Sequence, residues 1–368
     1  MSKKKQHIEN SETFKNLKVN KGIDNPDNTD INSIERFKKA NRTILTAEDY
    51  FKGIREGNIT LLSRAITLVE SSNLEHQAIA DQIINLCLPF SGQSKRIGIT
   101  GVPGVGKSSF IETLGQQLIT QGHKIAILAI DPSSEKSKGS ILGDKTRMEE
   151  LVKSKNAFIR PSPSSGSLGG VARKTRESII LCEAGGFDTV LIETVGVGQS
   201  ETAVHSMTDF FLLLMLAGAG DELQGIKRGI MEMADTIAIT KADGDNKSKA
   251  LMAENEYRNA LHLLPASSTN WKTQVLSCSA LTSFGVEPLW ETILNYFETA
   301  EKNGYLQQKR LEQSKYWMHE TIKEKLGNHL YLNPNLQKLI SRMEADILEN
   351  KISPFTAADV IFNQYLKE

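Results

Sequence analysis

The fold of this chain is decided by one stretch, Gly101-Val102-Pro103-Gly104-Val105-Gly106-Lys107-Ser108. It matches the pattern G-x-x-x-x-G-K-[ST] in full, and it stands between an apolar run at 97–100 and a run of helical periodicity that starts at Phe110. In a strand–loop–helix unit of this kind, glycines let backbone N–H groups face phosphate oxygens, and the helix directs its positive end at the same anion. We therefore expect this loop, together with Ser109, to bind the phosphates of a nucleoside triphosphate.

Two side chains of the loop have separate expected roles. Lys107 adds a positive charge for the β- and γ-phosphates, and the Ser108 hydroxyl is placed to ligate Mg²⁺. The alternative is a glycine-rich turn that matches the pattern by chance. The order of strand, loop and amphipathic helix favours the nucleotide site over this alternative.

Short apolar stretches alternate with helical ones after the loop. The strand candidates are 97–100, 125–130, 190–194, 210–216, 236–240 and 275–277. Strands that alternate with helices predict a mainly parallel sheet that helices cover on both faces. We predict an α/β P-loop NTPase domain over 93–298, an N-terminal helical extension at 33–92 and a C-terminal helical segment at 299–368. Residues 1–32 are rich in Lys, Asn, Asp, Glu and Ser, which predicts a flexible tail.

The composition of the 368 residues argues against several classes of protein. Lys plus Arg and Asp plus Glu both number 44, so the net charge of +0 gives no global field for nucleic acid or an anionic membrane. The longest apolar run, 210–217, is far shorter than the ~20 residues that a membrane-spanning helix needs. Three distant cysteines indicate reduced thiols rather than a disulfide framework. We expect a cytoplasmic protein that binds neither nucleic acid nor membranes.

Two loops further along the chain indicate which base the site takes. Thr240-Lys241-Ala242-Asp243 follows a predicted strand, where guanine-specific P-loop proteins carry Asn-Lys-x-Asp. An ionised Asp there accepts hydrogen bonds from guanine N1 and N2, and adenine offers no such pair of donors. Ser279 and Ala280, after the next strand, resemble the Ser-Ala loop that supports guanine in GTPases. Together the loops favour guanine over a chance surface loop, and Thr240 in place of Asn predicts a reduced guanine affinity.

A third stretch between these motifs, Leu191-Ile192-Glu193-Thr194-Val195-Gly196, has the pattern of a γ-phosphate switch. Glu193 at the strand end is expected to serve Mg²⁺, and the Gly196 N–H is expected to sense the γ-phosphate. The alternative for Glu193 is an ordinary strand-end carboxylate. Val197 and Gly198 occupy the place of the water-orienting Gln of Ras-like proteins, so slow hydrolysis that needs a partner is expected. Gln199 is either a substitute for that Gln or a surface residue of the switch.

Five stretches carry a resemblance to one protein family. They are Ile130-Asp131-Pro132-Ser133-Ser134, Arg160-Pro161-Ser162-Pro163, Leu168-Gly169-Gly170-Val171-Ala172-Arg173-Lys174-Thr175-Arg176-Glu177, Glu193-Thr194-Val195-Gly196-Val197-Gly198-Gln199-Ser200-Glu201 and Ala219-Gly220-Asp221-Glu222-Leu223-Gln224-Gly225-Ile226-Lys227. They resemble the MeaB/ArgK/MMAA family of G-protein chaperones, which serve adenosylcobalamin-dependent acyl-CoA mutases, chiefly methylmalonyl-CoA mutase. The similarity extends from about residue 46 to the C-terminus and is densest over 97–280.

The resemblance implies roles that the residue patterns alone leave open. It places Asp131 and Asp144 in the magnesium and first-switch region, and 193–198 in the second switch. A third switch over 221–227 would face the mutase and could bring Lys227 to the nucleotide as a charge-stabilising group. Without the resemblance, Lys227 is a solvated residue on a helix. The resemblance also implies GTP and GDP as the bound nucleotides and a homodimer formed through the C-terminal helices.

Three other functions remain as alternatives. A P-loop kinase for a small molecule or a transport protein would need an acceptor pocket with a general base, whereas this sequence shows guanine-type loops. A metallochaperone GTPase of the nickel-insertion type would usually carry a Cys/His site, and the histidines here are scattered singly. The third alternative is a dimeric targeting GTPase that does not repair an enzyme.

Overall fold

A parallel sheet is the centre of the computed structural model, which describes residues 45–131, 148–163, 168–194, 200–218, 228–262 and 271–367. The strands of this described part are β1 (Lys95–Gly101), β2 (Ile125–Asp131), β3 (Ala157–Pro163), β4 (Thr189–Thr194), β5 (Phe210–Leu216), β6 (Thr236–Thr240) and β7 (Gln274–Ser277). They pair in the order β3-β2-β4-β1-β5-β6-β7, and every pair is parallel. The predicted α/β fold is confirmed.

Helices precede, connect and follow the strands. The α-helices of the described part are α1 (Ala47–Arg55), α2 (Ile59–Glu70), α3 (Leu74–Cys87), α4 (Lys107–Thr120), α5 (Glu149–Lys153), α6 (Leu168–Ala184), α7 (Ser200–His205), α8 (Arg228–Met233), α9 (Lys247–Leu261), α10 (Val286–Lys302), α11 (Tyr305–Tyr331), α12 (Pro334–Leu348) and α13 (Pro354–Tyr365). Short 3-10 turns lie at Leu88–Phe90 and Gly244–Asn246. Within these ranges no helix is long and apolar enough to cross a bilayer. The predicted tail at 1–32 lies outside the described residues, and the domain borders at 33, 93 and 299 stay predictions.

Strand β1 lies at the middle of the sheet, with β2, β3 and β4 on one side and β5, β6 and β7 on the other. Its residues Ile97 and Ile99 are fully buried in the same core cluster as Phe110 and Leu114 of α4. Gly98 points to the opposite face, where an added Cβ would lie 2.8 Å from Val204 of α7. Helices cover both faces of β1, so the carboxyl end of this strand is the part left open. The strand order diverges to the two sides of β1, and open α/β sheets bind ligands at the carboxyl ends of their strands at such a point.

Strand β3 is an element that the sequence pattern did not predict. It contains Pro161 and Pro163, which cannot donate to a sheet ladder and therefore argue against a central strand. Among the strands that the structure describes, β3 lies at the edge of the sheet and pairs with β2. An edge position tolerates these prolines, because one side of the strand needs no ladder hydrogen bonds. Arg160 of this strand forms an ion pair with Glu70 of α2, which attaches the first helices to the sheet edge.

Helix α11 is anchored to the turn that precedes β5. Lys309 Nζ, Gln313 Nε2 and Trp317 Nε1 donate hydrogen bonds to backbone carbonyls of residues 206–209, at 2.7, 2.8 and 3.1 Å. Positions four residues apart lie on one face of a helix, so a single face of α11 makes all three bonds. The turn directly follows α7, and α11 is therefore tied to the segment next to the predicted second switch.

Candidate nucleotide site

The phosphate loop joins β1 to α4 at the carboxyl edge of the sheet. A Cβ at Gly101 would stand 2.4 Å from the Leu214 carbonyl oxygen, so only glycine allows the chain to turn there. Gly106 has a φ of 98°, a left-handed backbone that glycine adopts readily, immediately before the first residue of α4. Val105 is fully buried and anchors the loop in the core. The free N–H groups at the start of α4 therefore face the loop, as an anion site at a helix N-terminus requires.

The remaining residues of the predicted loop differ in exposure. Pro103 and Gly104 are exposed, Val102 is half-buried, and Ser109 is exposed on the first turn of α4. The backbone of these residues is therefore open on the side from which a phosphate would approach.

Lys107 is the buried cation of the site. Its Nζ donates to the carbonyl oxygens of Gly101 and Val102, at 2.8 and 3.3 Å, so the side chain reaches back across the loop. Burial lowers the pKa of this ammonium, and the charges of Glu193 and then Glu201 oppose that shift. An ammonium group has three donors, and phosphate oxygens are stronger acceptors than carbonyls. The geometry therefore places Lys107 where it can pair with a phosphate.

Ser108 and Glu193 meet at the mouth of the loop although 85 residues separate them. Ser108 Oγ donates to Glu193 Oε1 at 3.1 Å, and both residues are buried. Beside them, the hydroxyls of Thr100 and Thr194 lie 2.9 Å apart and link the ends of β1 and β4. Carboxylate and hydroxyl oxygens are ligands that Mg²⁺ accepts, so the chemistry of this pair fits the predicted metal. No group of three or more His, Cys, Asp or Glu residues able to hold a metal occurs among the described residues.

The two predicted base loops contact each other directly. Ser279 Oγ donates a short hydrogen bond to Asp243 Oδ2, which fixes the orientation of the carboxylate. The backbone supports this contact, because Ala242 N donates to the carbonyl of Cys278 at 3.0 Å. Lys241 is exposed and has a φ of 56°, a left-handed conformation that is uncommon outside glycine. The two loops that the sequence predicts to bind guanine are therefore held together in the structure, with the Asp243 carboxylate oriented by Ser279.

Thr240 links the base loop to the phosphate loop. Its buried hydroxyl lies 2.7 Å from the carbonyl oxygen of Val105 and 3.1 Å from that of Met215, so it can donate to either. From the sequence, Thr240 in place of the Asn of Asn-Lys-x-Asp predicts a reduced guanine affinity. The structure shows that the hydroxyl still makes the connection between the two loops.

We expect Thr240→Val to weaken binding of GDP and GTP by about tenfold and to lower the free energy of unfolding by about 1–2 kcal/mol, because the buried hydroxyl that donates to the Val105 or the Met215 carbonyl is lost. Binding of a fluorescent GDP analogue and thermal unfolding measure the two effects. Thr240→Ser is the matched control, since it keeps the hydroxyl and is expected to stay near the parent. Equal GDP affinity in the Val variant would show that the link contributes nothing.

Several predicted site residues fall where the structure gives no account of them. Asp131 ends β2, but its side chain is not described, and Asp144, Gly196 and Lys227 lie outside the described residues. Their roles therefore stay predictions.

Two further residues beside the site were missed at the sequence level. Thr113 of α4 donates from Oγ1 to the carbonyl of Ala280 at 2.9 Å, which holds the second base loop against the phosphate helix. Glu201 of α7 is buried, and its charge acts on Lys107. Neither type of contact has a signal in the sequence, because a Thr or Glu on a helix is by pattern an ordinary surface residue. In contrast, Gly285 carries a readable signal as a glycine before a helix, since a Cβ there would lie 2.1 Å from the Ser277 carbonyl oxygen.

Comparison with known proteins identifies the family. The model of the family described as "Methylmalonyl Co-A mutase-associated GTPase MeaB" matches residues 62–335, which include the phosphate loop and both base loops. The chain belongs to the MeaB family. A putative GTPase of Caulobacter vibrioides is 50% identical over 303 residues, covering 82% of this chain and 93% of that protein. GTPase ArgK of Escherichia coli is 45% identical over 311 residues, covering 84% of this chain and 94% of its own length.

A solved structure agrees with the MeaB assignment. The crystal structure of a protein named LAO/AO transport system kinase superposes with a TM-score of 0.68 at 37% identity, and the match covers 88% of this chain and 98% of that one. The family resemblance seen in the sequence is thereby confirmed. This MeaB-family protein is a GTP-hydrolysing enzyme that binds a guanine nucleotide, and the comparisons favour neither the kinase nor the metallochaperone alternative.

Proposed function

We propose that this MeaB-family GTPase is a chaperone that assists cofactor loading and protection of an adenosylcobalamin-dependent acyl-CoA mutase of the methylmalonyl-CoA type. The observation that carries the proposal is the match over residues 62–335 to a family whose description names association with that mutase. Two switch conformations with different affinities for the mutase would couple the nucleotide state to the client. The enzyme itself would carry none of the cobalamin chemistry.

Different residues of the chain would have different roles in GTP hydrolysis. Lys107 would bind the β- and γ-phosphates, and the Gly196 N–H would bind the γ-phosphate. Ser108 and Glu193, with Asp131 and Asp144, would hold Mg²⁺, which when bound neutralises charge on the phosphate oxygens. Support for this set comes from the contact between Ser108 and Glu193 at 3.1 Å.

Stimulation by the client is the second part of the proposal. Val197 and Gly198 stand where Ras-like proteins orient the attacking water with Gln, so turnover by the protein alone should be slow. Lys227 would supply the missing charge stabilisation when the mutase orders the third switch over 221–227. The client would thus complete the catalytic site.

We also propose a homodimer formed through the C-terminal helices. Met318, Ile322 and Leu326 recur at a spacing of four residues along α11, and all three side chains are exposed. Phe355 at the start of α13 is 83% exposed. Large apolar side chains on one helical face mark an interaction surface. The proposal that a second copy covers this surface rests on the family resemblance.

Sedimentation velocity tests the dimer. We expect twice the chain mass at micromolar concentration, and Met318→Glu combined with Ile322→Glu is expected to shift the protein to the monomer, because two charges would be buried in an apolar contact. The control pair is Lys323→Glu with Lys325→Glu, which changes exposed positions of the same helix. A parent protein that sediments as a monomer would refute the dimer.

The location that we propose is the cytoplasm. All three cysteines, Cys87, Cys182 and Cys278, are buried and free. Burial raises the pKa of each thiol, so these side chains act as small apolar residues and not as reactive groups. Reduced, buried thiols are typical of proteins in a reducing compartment.

The experiment that tests the function is steady-state hydrolysis of GTP and, separately, of ATP, each with and without a purified adenosylcobalamin-dependent mutase from the same organism. We expect slow GTP turnover that the mutase accelerates, and ATP turnover near background. GTP turnover that ignores the mutase would refute the client part of the proposal. Net ATP-dependent phosphorylation of an acceptor would support the kinase alternative instead. Stoichiometric binding of nickel or zinc would support the metallochaperone alternative.

A further inference from the structure

A cavity of about 440 Å³ lies at the amino end of β1, at the opposite end of this strand from the phosphate loop. The turn after α3 and helices α6 and α11 form its walls. Arg96, Arg176 and Arg310 line it together with Leu88, Ile180 and Leu311. The cavity therefore combines three guanidinium groups with an apolar wall, and none of these residues belongs to the nucleotide site.

Two of the three arginines are already paired with buried carboxylates. Arg96 binds both carboxylate oxygens of Glu183, at 2.8 and 2.9 Å. Arg310 Nε donates to Asp209 Oδ1 at 2.9 Å, and the Asp209 side chain is fully buried. The same carboxylates also accept backbone N–H groups, since Gly92 N binds Glu183 at 2.7 Å. The carboxylates of Glu183 and Asp209 are therefore each paired with an arginine other than Arg176.

Arg176 of α6 has no carboxylate partner among the described residues. Its Nη2 donates to Ser314 Oγ at 3.1 Å, whereas Nη1 is buried and makes no hydrogen bond within the described part of the chain. Burial lowers the pKa of Arg176 to about 10; the positive charges of Arg96 and Arg310 act in the same direction, and the carboxylates of Glu183 and Asp209 oppose the shift. Three guanidinium groups face two carboxylates, so the half-buried charge of Arg176 has no ion-pair partner of its own among the described residues. Such a charge is costly unless an anion pairs with it.

We propose that this cavity binds a small organic carboxylate, with its charged group at Arg176 and its apolar part against Leu88, Ile180 and Leu311. A planar guanidinium matches a carboxylate bidentately, and Ser314 is at hand as a second polar contact. The apolar wall favours this class over inorganic phosphate, because an apolar surface would leave phosphate oxygens without donors. The volume is within the range of small-molecule sites. Such a ligand would join α6 to α11, independently of the nucleotide.

Thermal unfolding of the full chain tests the site, with butyrate, succinate and inorganic phosphate as probes and sodium chloride at matched ionic strength as the reference. Butyrate or succinate is expected to raise the melting temperature by roughly 2 °C at ten times its Kd, and phosphate is expected to have no effect beyond that of the salt. Arg176→Met should lose this rise, while its melting temperature without ligand should not fall, because the variant removes repulsion from Arg96 and Arg310. Arg64→Met, at an exposed position of α2, should keep the rise.

The outcomes that would overturn the proposal are distinct. They are an equal rise in Arg176→Met and the parent, no rise with either carboxylate, and a larger rise with phosphate. If Arg176→Met fails to fold, Arg176→Lys keeps the charge but loses the bidentate fork, and at least a tenfold weaker response to carboxylate is then expected.

Discussion

Lys107→Ala is expected to abolish GTP hydrolysis and to weaken GTP binding by about a hundred- to a thousandfold. Lys107 is 7% exposed, and its ammonium reaches back across the phosphate loop to the Gly101 carbonyl. Loss of one partner from a buried, charge-assisted contact costs about 2–5 kcal/mol, and each 1.4 kcal/mol is tenfold in affinity. Calorimetric titration with GDP and GTP, together with phosphate release, measures the loss.

The structure also predicts how the Lys107→Ala protein should differ from a misfolded one. Within the described part of the chain the Lys107 ammonium donates to carbonyls of its own loop, so its removal should leave the core cluster around Phe110 and Leu114 untouched. The melting temperature should therefore fall by no more than a few degrees. Lys124→Ala, an exposed lysine before β2, is the matched control and should bind GTP normally. GTP affinity within twofold of the parent in Lys107→Ala would remove the central assignment of the site.

Asp243→Asn is expected to reduce GTP affinity by about a hundredfold or more and to move the preference of the site toward xanthine nucleotides. The carboxylate can accept from both donors of guanine, whereas an amide offers one acceptor and sets its NH₂ against the second donor. A mismatched buried donor pair costs the full desolvation of both groups. Xanthine carries a carbonyl where guanine carries the amino group, so the amide NH₂ then has an acceptor.

Competition between GTP and XTP for a fluorescent GDP analogue measures this exchange of specificity. Asp245→Asn is the control, because it makes the same change on the exposed side of the same loop. Ser279→Ala provides a graded test, since it removes only the hydroxyl that orients Asp243, and a loss of about threefold to tenfold is expected. Parent-like GTP affinity in Asp243→Asn would show that this loop does not bind the base.

Sequence alone determined the features that neighbouring residues encode. The turn at Gly101, the left-handed Gly106 and the start of α4 follow from backbone sterics and helical periodicity within about twenty residues. Apolar runs of strand length predicted six of the seven strands in the described part of the chain, because a covered parallel sheet needs apolar residues on both faces. The pattern did not predict β3, because its two prolines argue against a central strand. Prolines are tolerated at an edge position, which only the folded structure shows.

Only the tertiary structure decided which distant side chains meet. The order of the strands brings Ser108 to Glu193 and Thr240 to the Val105 carbonyl, across 85 and 135 residues. Likewise, the cavity at Arg176 exists because α11 folds back along α6, and its excess positive charge appears only when the partners of Arg96 and Arg310 are known. Local conformation depends on adjacent residues, which a sequence displays. Contacts between elements depend on the packing of buried surfaces over the whole chain, so they become visible only in the folded structure.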